Sequence, residues 1–309
     1  MAAAYLTKPV RQSELYDVLA TVTSDQAGAQ SRKPDLVTHE SIRESRSGRE
    51  RRVLVAEDNL TNQKVVSGML TALGYRTEVV PDGAKVVEAL SNGKYAAVLM
   101  DVQMPEMDGY EATKEIRRRE LGTGRHVPII AMTANALERD REKALSAGMD
   151  DYLPKPVKRE QLGEVLKRWV SPQHDDEPGK SAPLRRRDTS ADEPAVDPEV
   201  IAELRELQNQ GSPGLLRELI KIFLREVSTQ LSVMEQAVEE GDAEAVRRVA
   251  HTLKGSSGNM GAKKMRALSG HLQGVGVSGD LSRALQLIHQ LKEEFGEVRQ
   301  ALKAELRTQ

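Results

Sequence analysis

The sequence predicts an α/β plus all-α chain: a doubly wound five-stranded parallel sheet, then an antiparallel four-helix bundle. Three observations carry this. Residues 52–170 alternate short apolar runs with amphipathic stretches, the pattern of buried strands feeding crossover helices. From Asp197 on, apolar residues keep a helical period and no strand pattern occurs. Two polar, aromatic-poor stretches, 23–50 and 171–196, have neither period; they cannot offset their ordering entropy by burial and read as flexible linkers.

The expected organisation is therefore a short segment 1–22, a linker 23–50, an α/β domain 51–170, a linker 171–196 and a helical domain 197–309. At 309 residues the chain has room for about two domains of ordinary size. In the α/β part, 53–56, 77–80, 96–100 and 128–132 read as strands, with a short fifth near 151–153. The stretches 60–73, 83–91, 108–119, 137–147 and 158–169 between and after them fit helices. In the helical part, Asp197-Pro198 and Ser212-Pro213 are N-cap plus N1-proline signals, and Asp242 caps a further helix. Leu216, Leu219, Ile220, Phe223, Val227, Leu231, Met234 and Val238 line one helix face. Further helices near 261–274 and 280–307 complete the bundle.

Composition excludes several classes. Forty-five Lys and Arg against 47 Asp and Glu leave a net charge of −2, so nothing global favours nucleic acid or a membrane surface. Cysteine is absent, which removes disulfides, thiolate metal sites and Cys nucleophiles. No apolar run approaches the ~20 residues that span a bilayer, and the first residues lack a signal-peptide pattern; no membrane insertion is expected, and cytoplasmic placement is the default. The chain also echoes itself: 5–11 (Tyr5-Leu-Thr-Lys-Pro-Val-Arg11) matches 152–158 (Tyr152-Leu-Pro-Lys-Pro-Val-Lys158). Segment 1–22 is expected to be the last strand and helix of a second, truncated α/β domain.

Polar residues mark the strand ends: Glu57 and Asp58 after the first, Asp101 after the third, Thr133 after the fourth and Lys155 after the fifth. Strand ends converge in a doubly wound sheet. Three carboxylates together raise one another's pKa unless a cation intervenes, and an all-oxygen set suits Mg²⁺. Mg²⁺, a lysine, a hydroxyl and a carboxylate nucleophile are the parts that phosphoryl transfer needs. One alternative is a Mg²⁺-dependent phosphohydrolase using Asp101; such enzymes of the haloacid-dehalogenase type usually carry a second Asp two residues on, where this chain has Gln103. An unphosphorylated scaffold is a third reading.

Residues 52–170 resemble a response-regulator receiver domain of the flavodoxin/CheY-like fold through Glu57-Asp58-Asn59, the run 99–110 (LMDVQMPEMDGY), 131–134 (AMTA) and 152–156 (YLPKP). The resemblance implies that Asp101 is phosphorylated and that Asp58, Asp101 and the backbone carbonyl of Gln103 bind Mg²⁺, with Glu57 acting through water. It implies that Lys155 pairs with the phosphoryl group before a cis Pro156, that Thr133 and Tyr152 form a switch pair, and that partners use the face of the fourth helix, fifth strand and fifth helix.

On the capped helix after Asp242, Val246, Val249, Ala250, Leu253 and Ser257 point to a core, leaving His251 on a flanking face with Arg247, Lys254 and Gly255. A neutral imidazole is a nucleophile near pH 7, Gly255 leaves room for an approaching partner, and the two cations attract an acidic one. The run 251–259 (HTLKGSSGN) resembles the signature of histidine phosphotransfer (HPt) domains. Together the resemblances imply the C-terminal part of a hybrid sensor histidine kinase: an upstream kinase histidine passes a phosphoryl group to Asp101, then His251 passes it to a separate response regulator receiver. No P-loop or kinase ATP motif is found, so no ATP-dependent self-phosphorylation is expected from this chain.

Overall fold

The computed structural model describes residues 52–133, 138–170 and 194–307. The segment 1–22, the linker 23–50 and most of the second linker lie outside the described residues. Five parallel strands form one sheet in the order β2-β1-β3-β4-β5: β1 (Arg52–Ala56), β2 (Arg76–Val80), β3 (Ala97–Asp101), β4 (Ile129–Thr133) and β5 (Asp151–Pro154). Every residue of β3 and β4 is buried, which is why they read as unbroken apolar runs. The chain leaves β1 toward β2 on one side and returns to β3 on the other. This order reversal opens a crevice at the carboxyl ends of β1 and β3, where such sheets bind ligands.

Helices α1 (Leu60–Ala72), α2 (Gly83–Asn92), α3 (Gly109–Glu120), α4 (Glu138–Ser146) and α5 (Arg159–Val170) join or follow the strands. The first three begin where Asn59, Asp82 and Asp108 accept hydrogen bonds from Asn62, Lys85 and Glu111 backbone N–H groups, satisfying donors that a first turn leaves orphaned. At the far end of the sheet, Arg117 donates to the carbonyls of Gly148 (2.8 Å) and Val127 (3.0 Å) and to Asp150 (2.6 Å), tying α3 to the edges of β4 and β5.

The helical domain consists of α6 (Pro198–Asn209), α7 (Leu215–Glu239), α8 (Ala243–Asn259), α9 (Lys263–Ser278) and α10 (Ala284–Arg307). Asp197 and Asp242 cap α6 and α8 as expected. Three details differ from the sequence expectation. Ser212-Pro213 does not start α7: the backbone passes through φ 79° at Gly214, and the Leu215 N–H closes a turn onto the Ser212 carbonyl before the helix begins. The last stretch is split by a 3₁₀ turn, Leu281–Arg283, ahead of α10. The end of the expected linker is structured too, because Val196 is buried in the bundle core with Ala195 against it.

One core lies between the sheet and α2 and α3, around Leu54, Val98, Ala112 and Ile129. The other begins on the opposite sheet face and continues without a break through Val65, Met69 and Leu70 of α1 into Leu204, Leu215, Leu219 and Phe223 of the bundle. Helix α1 is thus buried on both sides, and its thirteen residues carry a single charge, Lys64. What polar surface α1 leaves toward water is a narrow strip of Gln63, Lys64, Ser67 and Thr71.

A Cβ at Gly109, the first residue of α3, would sit 2.3 Å from the Asp101 carbonyl oxygen. Gly109→Ala is therefore expected to lower the stability of the α/β domain by about 1–3 kcal/mol through overpacking, read from a urea unfolding curve monitored at Trp169.

Candidate functional site

The strand register brings the expected residues together. Asp101 pairs with Met132 and Thr133 with Pro154 at matched carboxyl ends, so Glu57, Asp101, Thr133 and Lys155 all lie buried at one rim. Lys155 Nζ lies 2.6 Å from Glu57 Oε2 and 2.6 Å from Asp101 Oδ2. Burial alone would strip its proton, but Asp101 and Glu57 outweigh that and raise the ammonium's pKa. Burial raises the Glu57 carboxyl, opposed by Lys155 and reinforced by Asp101. The Asp58 carboxyl is pushed up to about 7, first by burial and then by Glu57 and Asp101.

Carboxylate oxygens of Glu57, Asp58 and Asp101 lie within 4.8 Å of one another. A mutually repelling, all-oxygen set of this kind fits a small divalent cation. Gln103 lines the same cavity, and its N–H donates to Asp101 Oδ1 at 3.2 Å. Thr133 lines the cavity as well. Tyr152, half-buried on β5, lies outside it with the Arg141 guanidinium 5.8 Å from its ring. The Lys155–Pro156 peptide is cis, as the sequence leads one to expect.

The cavity, about 440 Å³, is closed from the other side by the helical domain: Asp58, Asp101 and Thr133 share its wall with Arg247, His251 and Gln273. His251 departs from the expected exposed ring. It is only 9% exposed, and what covers it is the rim of the α/β domain, with Lys155 and Pro156 lining a small cleft beside it. Gln273 Nε2 lies 3.2 Å from His251 Nδ1 and steadies the ring. The pKa of the imidazole is lowered to about 3, by burial first and then by Lys155, Lys254 and Arg247, with Glu57 opposing.

Two sequence families match this chain. The response regulator receiver domain matches residues 53–167, and the Hpt domain matches residues 218–301. The chain carries a receiver domain followed by an Hpt domain. It is 28% identical over 252 residues to the aerobic respiration control sensor protein ArcB of Escherichia coli, covering 82% of this chain and 31% of that protein. It is 29% identical over 245 residues to the sensor histidine kinase GacS of Pseudomonas protegens, covering 75% and 25%. The chain thus spans less than a third of the length of these curated relatives. Among solved structures, the receiver domain of sensor histidine kinase PA1611 from Pseudomonas aeruginosa, crystallised with magnesium in its active-site cleft, is 51% identical, covering 39% of this chain and 97% of that one at a TM-score of 0.36. Among the described residues no helix is long and apolar enough to cross a membrane.

The Hpt domain packs chiefly on α1 of the receiver domain, with Arg159 at the start of α5 donating to Gln210 at 2.6 Å. The apolar outer side of α1 accounts for this. A Cβ at Gly255 would lie 3.1 Å from Asn62 Nδ2, so the space left by that glycine is filled by α1. Of the two expected docking cations, Lys254 donates to Gln273 at 3.3 Å and Arg247 pairs with Glu244 at 2.6 Å. Asn62, Arg266 and Glu226 escaped the sequence reading. Asn259 Nδ2 donates to Asn62 Oδ1 at 2.8 Å, and Asn62 Nδ2 donates in turn to Glu57 Oε1 at 2.8 Å. Arg266 Nη2 reaches the Lys155 carbonyl at 3.2 Å. Glu226 grips the start of α1. The available signal was the near-absence of charge along α1.

The docked ring refuses a proton that the free ring accepts. Above pH 6.5 both forms of the ring are neutral and its contribution to docking does not change with pH; below it, the undocked or unfolded state binds the extra proton, so this contribution weakens docking by up to about tenfold per pH unit toward pH 3. Subtracting the pH profile of His251→Gln from that of wild type should isolate this slope, with interdomain docking followed by amide exchange along α1. Equal profiles for the two proteins would contradict it.

Proposed function

We propose that this chain relays phosphoryl groups: Asp101 accepts one from an upstream kinase histidine, His251 takes it from Asp101, and a separate response regulator receiver takes it from His251. The observation that carries this is the shared cavity, in which a buried carboxylate paired with Lys155 and a neutral imidazole face the same space. The transfer balances simply. A lone pair of the uncharged ring attacks phosphorus, the P–N bond forms as the P–O bond to Asp101 breaks, and the electron pair returns to the Asp101 carboxylate.

The chain's own groups supply what this step requires. Lys155 stays protonated and can meet phosphoryl oxygens while stabilising the Asp101 carboxylate as it leaves. Thr133 brings a hydroxyl to the same wall; with Tyr152 it forms the proposed switch. Closure by the Hpt domain limits water's access to an acyl phosphate. Glu57, Asp58 and Asp101, with the Gln103 carbonyl, would hold Mg²⁺, which when bound neutralises the carboxylates and the incoming phosphoryl oxygens. Arg247, Lys254 and Gly255 border the ring and serve docking. On this reading the chain is the C-terminal part of a hybrid sensor histidine kinase acting in the cytoplasm.

Incubating wild type, Asp101→Asn and His251→Gln with Mg²⁺ and acetyl phosphate, then measuring intact mass, tests the order. Asp101→Asn should block labelling at both positions, whereas His251→Gln should keep one acid-stable, base-labile phosphate. Wild-type labelling of His251 in Asp101→Asn would overturn it.

A further inference from the structure

Resting on the relay reading, we infer that Glu226 of the Hpt domain is a positioning and specificity residue: its carboxylate reads the first turn of α1 and, with Asn259, sets the pose in which a receiver domain can exchange phosphate with His251. Glu226 accepts from the Thr61 hydroxyl at 2.6 Å, the Leu60 and Thr61 N–H groups at 3.1 and 3.3 Å, and the Asn59 amide at 3.2 Å. Leu60 and Thr61 occupy the first two helical positions, whose N–H groups have no acceptor inside their own helix. The carboxylate also sits at the positive end of the α1 dipole. All four donors lie in the other domain, so these bonds exist only when the two domains are docked.

Asn259 supplies the second point of attachment. Its amide bonds to Asn62, the next residue of the same first turn, and Asn62 bonds to Glu57, which bonds to Lys155 and so to Asp101. A helix held at its first turn from two elements, α7 and α8, has its rotation about the Hpt domain fixed. The strand end that bears Asp101 is thereby aimed at His251. One Hpt face presents His251, so a downstream receiver must use the same anchors. The partner it fits is a receiver whose first helix opens with amide and hydroxyl side chains, as Asn59-Leu60-Thr61-Asn62 does here. A carboxylate at the Thr61 position of such a partner would face Glu226 and be rejected by like-charge repulsion.

Two measurements on the full chain test this. In unphosphorylated protein, Leu60 and Thr61 amides should exchange slowly with solvent in wild type and at least tenfold faster in Glu226→Ala, with Val65, inside the helix ladder, unchanged; this readout needs no phosphate. In single-turnover transfer from phosphorylated Asp101, Glu226→Ala should slow the appearance of phosphohistidine about tenfold or more, while exposed Glu239→Ala should not. Thr61→Ala should slow transfer less, and the double variant should fall short of the product of the two effects. Wild-type exchange at Leu60 and Thr61 in Glu226→Ala, wild-type transfer by it, or independent multiplication of the two effects would each overturn the proposal. If wild type never labels His251, the relay reading fails, and the exchange result alone decides whether Glu226 anchors α1.

Discussion

Lys155, held 2.6 Å from both Glu57 and Asp101 at a buried rim, is the interaction on which the rest of the molecule depends. An ammonium and two carboxylates out of water are tolerable only together; removing one leaves the others uncompensated, which typically costs several kcal/mol. The contact fixes the carboxyl ends of β1, β3 and β5 against one another. It also leaves the pocket short of positive charge, since Asp58 makes a third carboxyl beside one lysine. Burial first, and then the neighbouring Glu57 and Asp101 carboxyls, raise the Asp58 pKa. A pocket in this state gains from a divalent ion, and it presents an acidic rim to whatever approaches.

What approaches is the Hpt domain, and α1 makes the approach possible. One side of α1 completes the receiver core, and the other continues into the bundle through Leu215 and Leu219. The apolar contact contributes to association at roughly 25 cal/mol per Å² of apolar surface removed from water. The polar contacts at the first turn set orientation instead. Glu57 joins the two roles, because it is bonded to Lys155 on one side and to Asn62, hence to Asn259, on the other. Interdomain geometry and the electrostatics around Asp101 are therefore not independent.

Much of this was legible in the sequence. Periodicity located all five strands to within about a residue at either end, because the central strands are buried on both faces and their apolar runs are uninterrupted. The strand-end residues Glu57, Asp58, Asp101, Thr133 and Lys155 could be grouped because a parallel sheet places such ends side by side. His251 was legible as a helix-face residue but not as a buried one, since its cover comes from the other domain. Glu226 and Asn62 were invisible for the same reason. A glutamate or asparagine on a helix reads as solvated, and their partners stand 165 and 197 positions away. The start of α7 was misplaced because Ser212-Pro213 has the form of a cap, whereas the left-handed Gly214 decides where the helix can begin.

The closed arrangement also constrains the direction of flow. Two domains on one chain meet at an effective concentration on the order of millimolar, so a free receiver at micromolar concentration is at a disadvantage of about a thousandfold for the same Hpt face. It can win only if the intramolecular contact weakens once His251 carries phosphate. The geometry contains the means. A phosphorylated imidazole would bring further negative charge to a rim already crowded by Glu57, Asp58 and Asp101, with Lys155 as their buried counter-charge. The domains close over a neutral His251, and a phosphate on that ring would oppose the closure by like-charge repulsion. The same charge shortage around Lys155 that makes the pocket fit a divalent ion would thus oppose renewed closure over a loaded Hpt face.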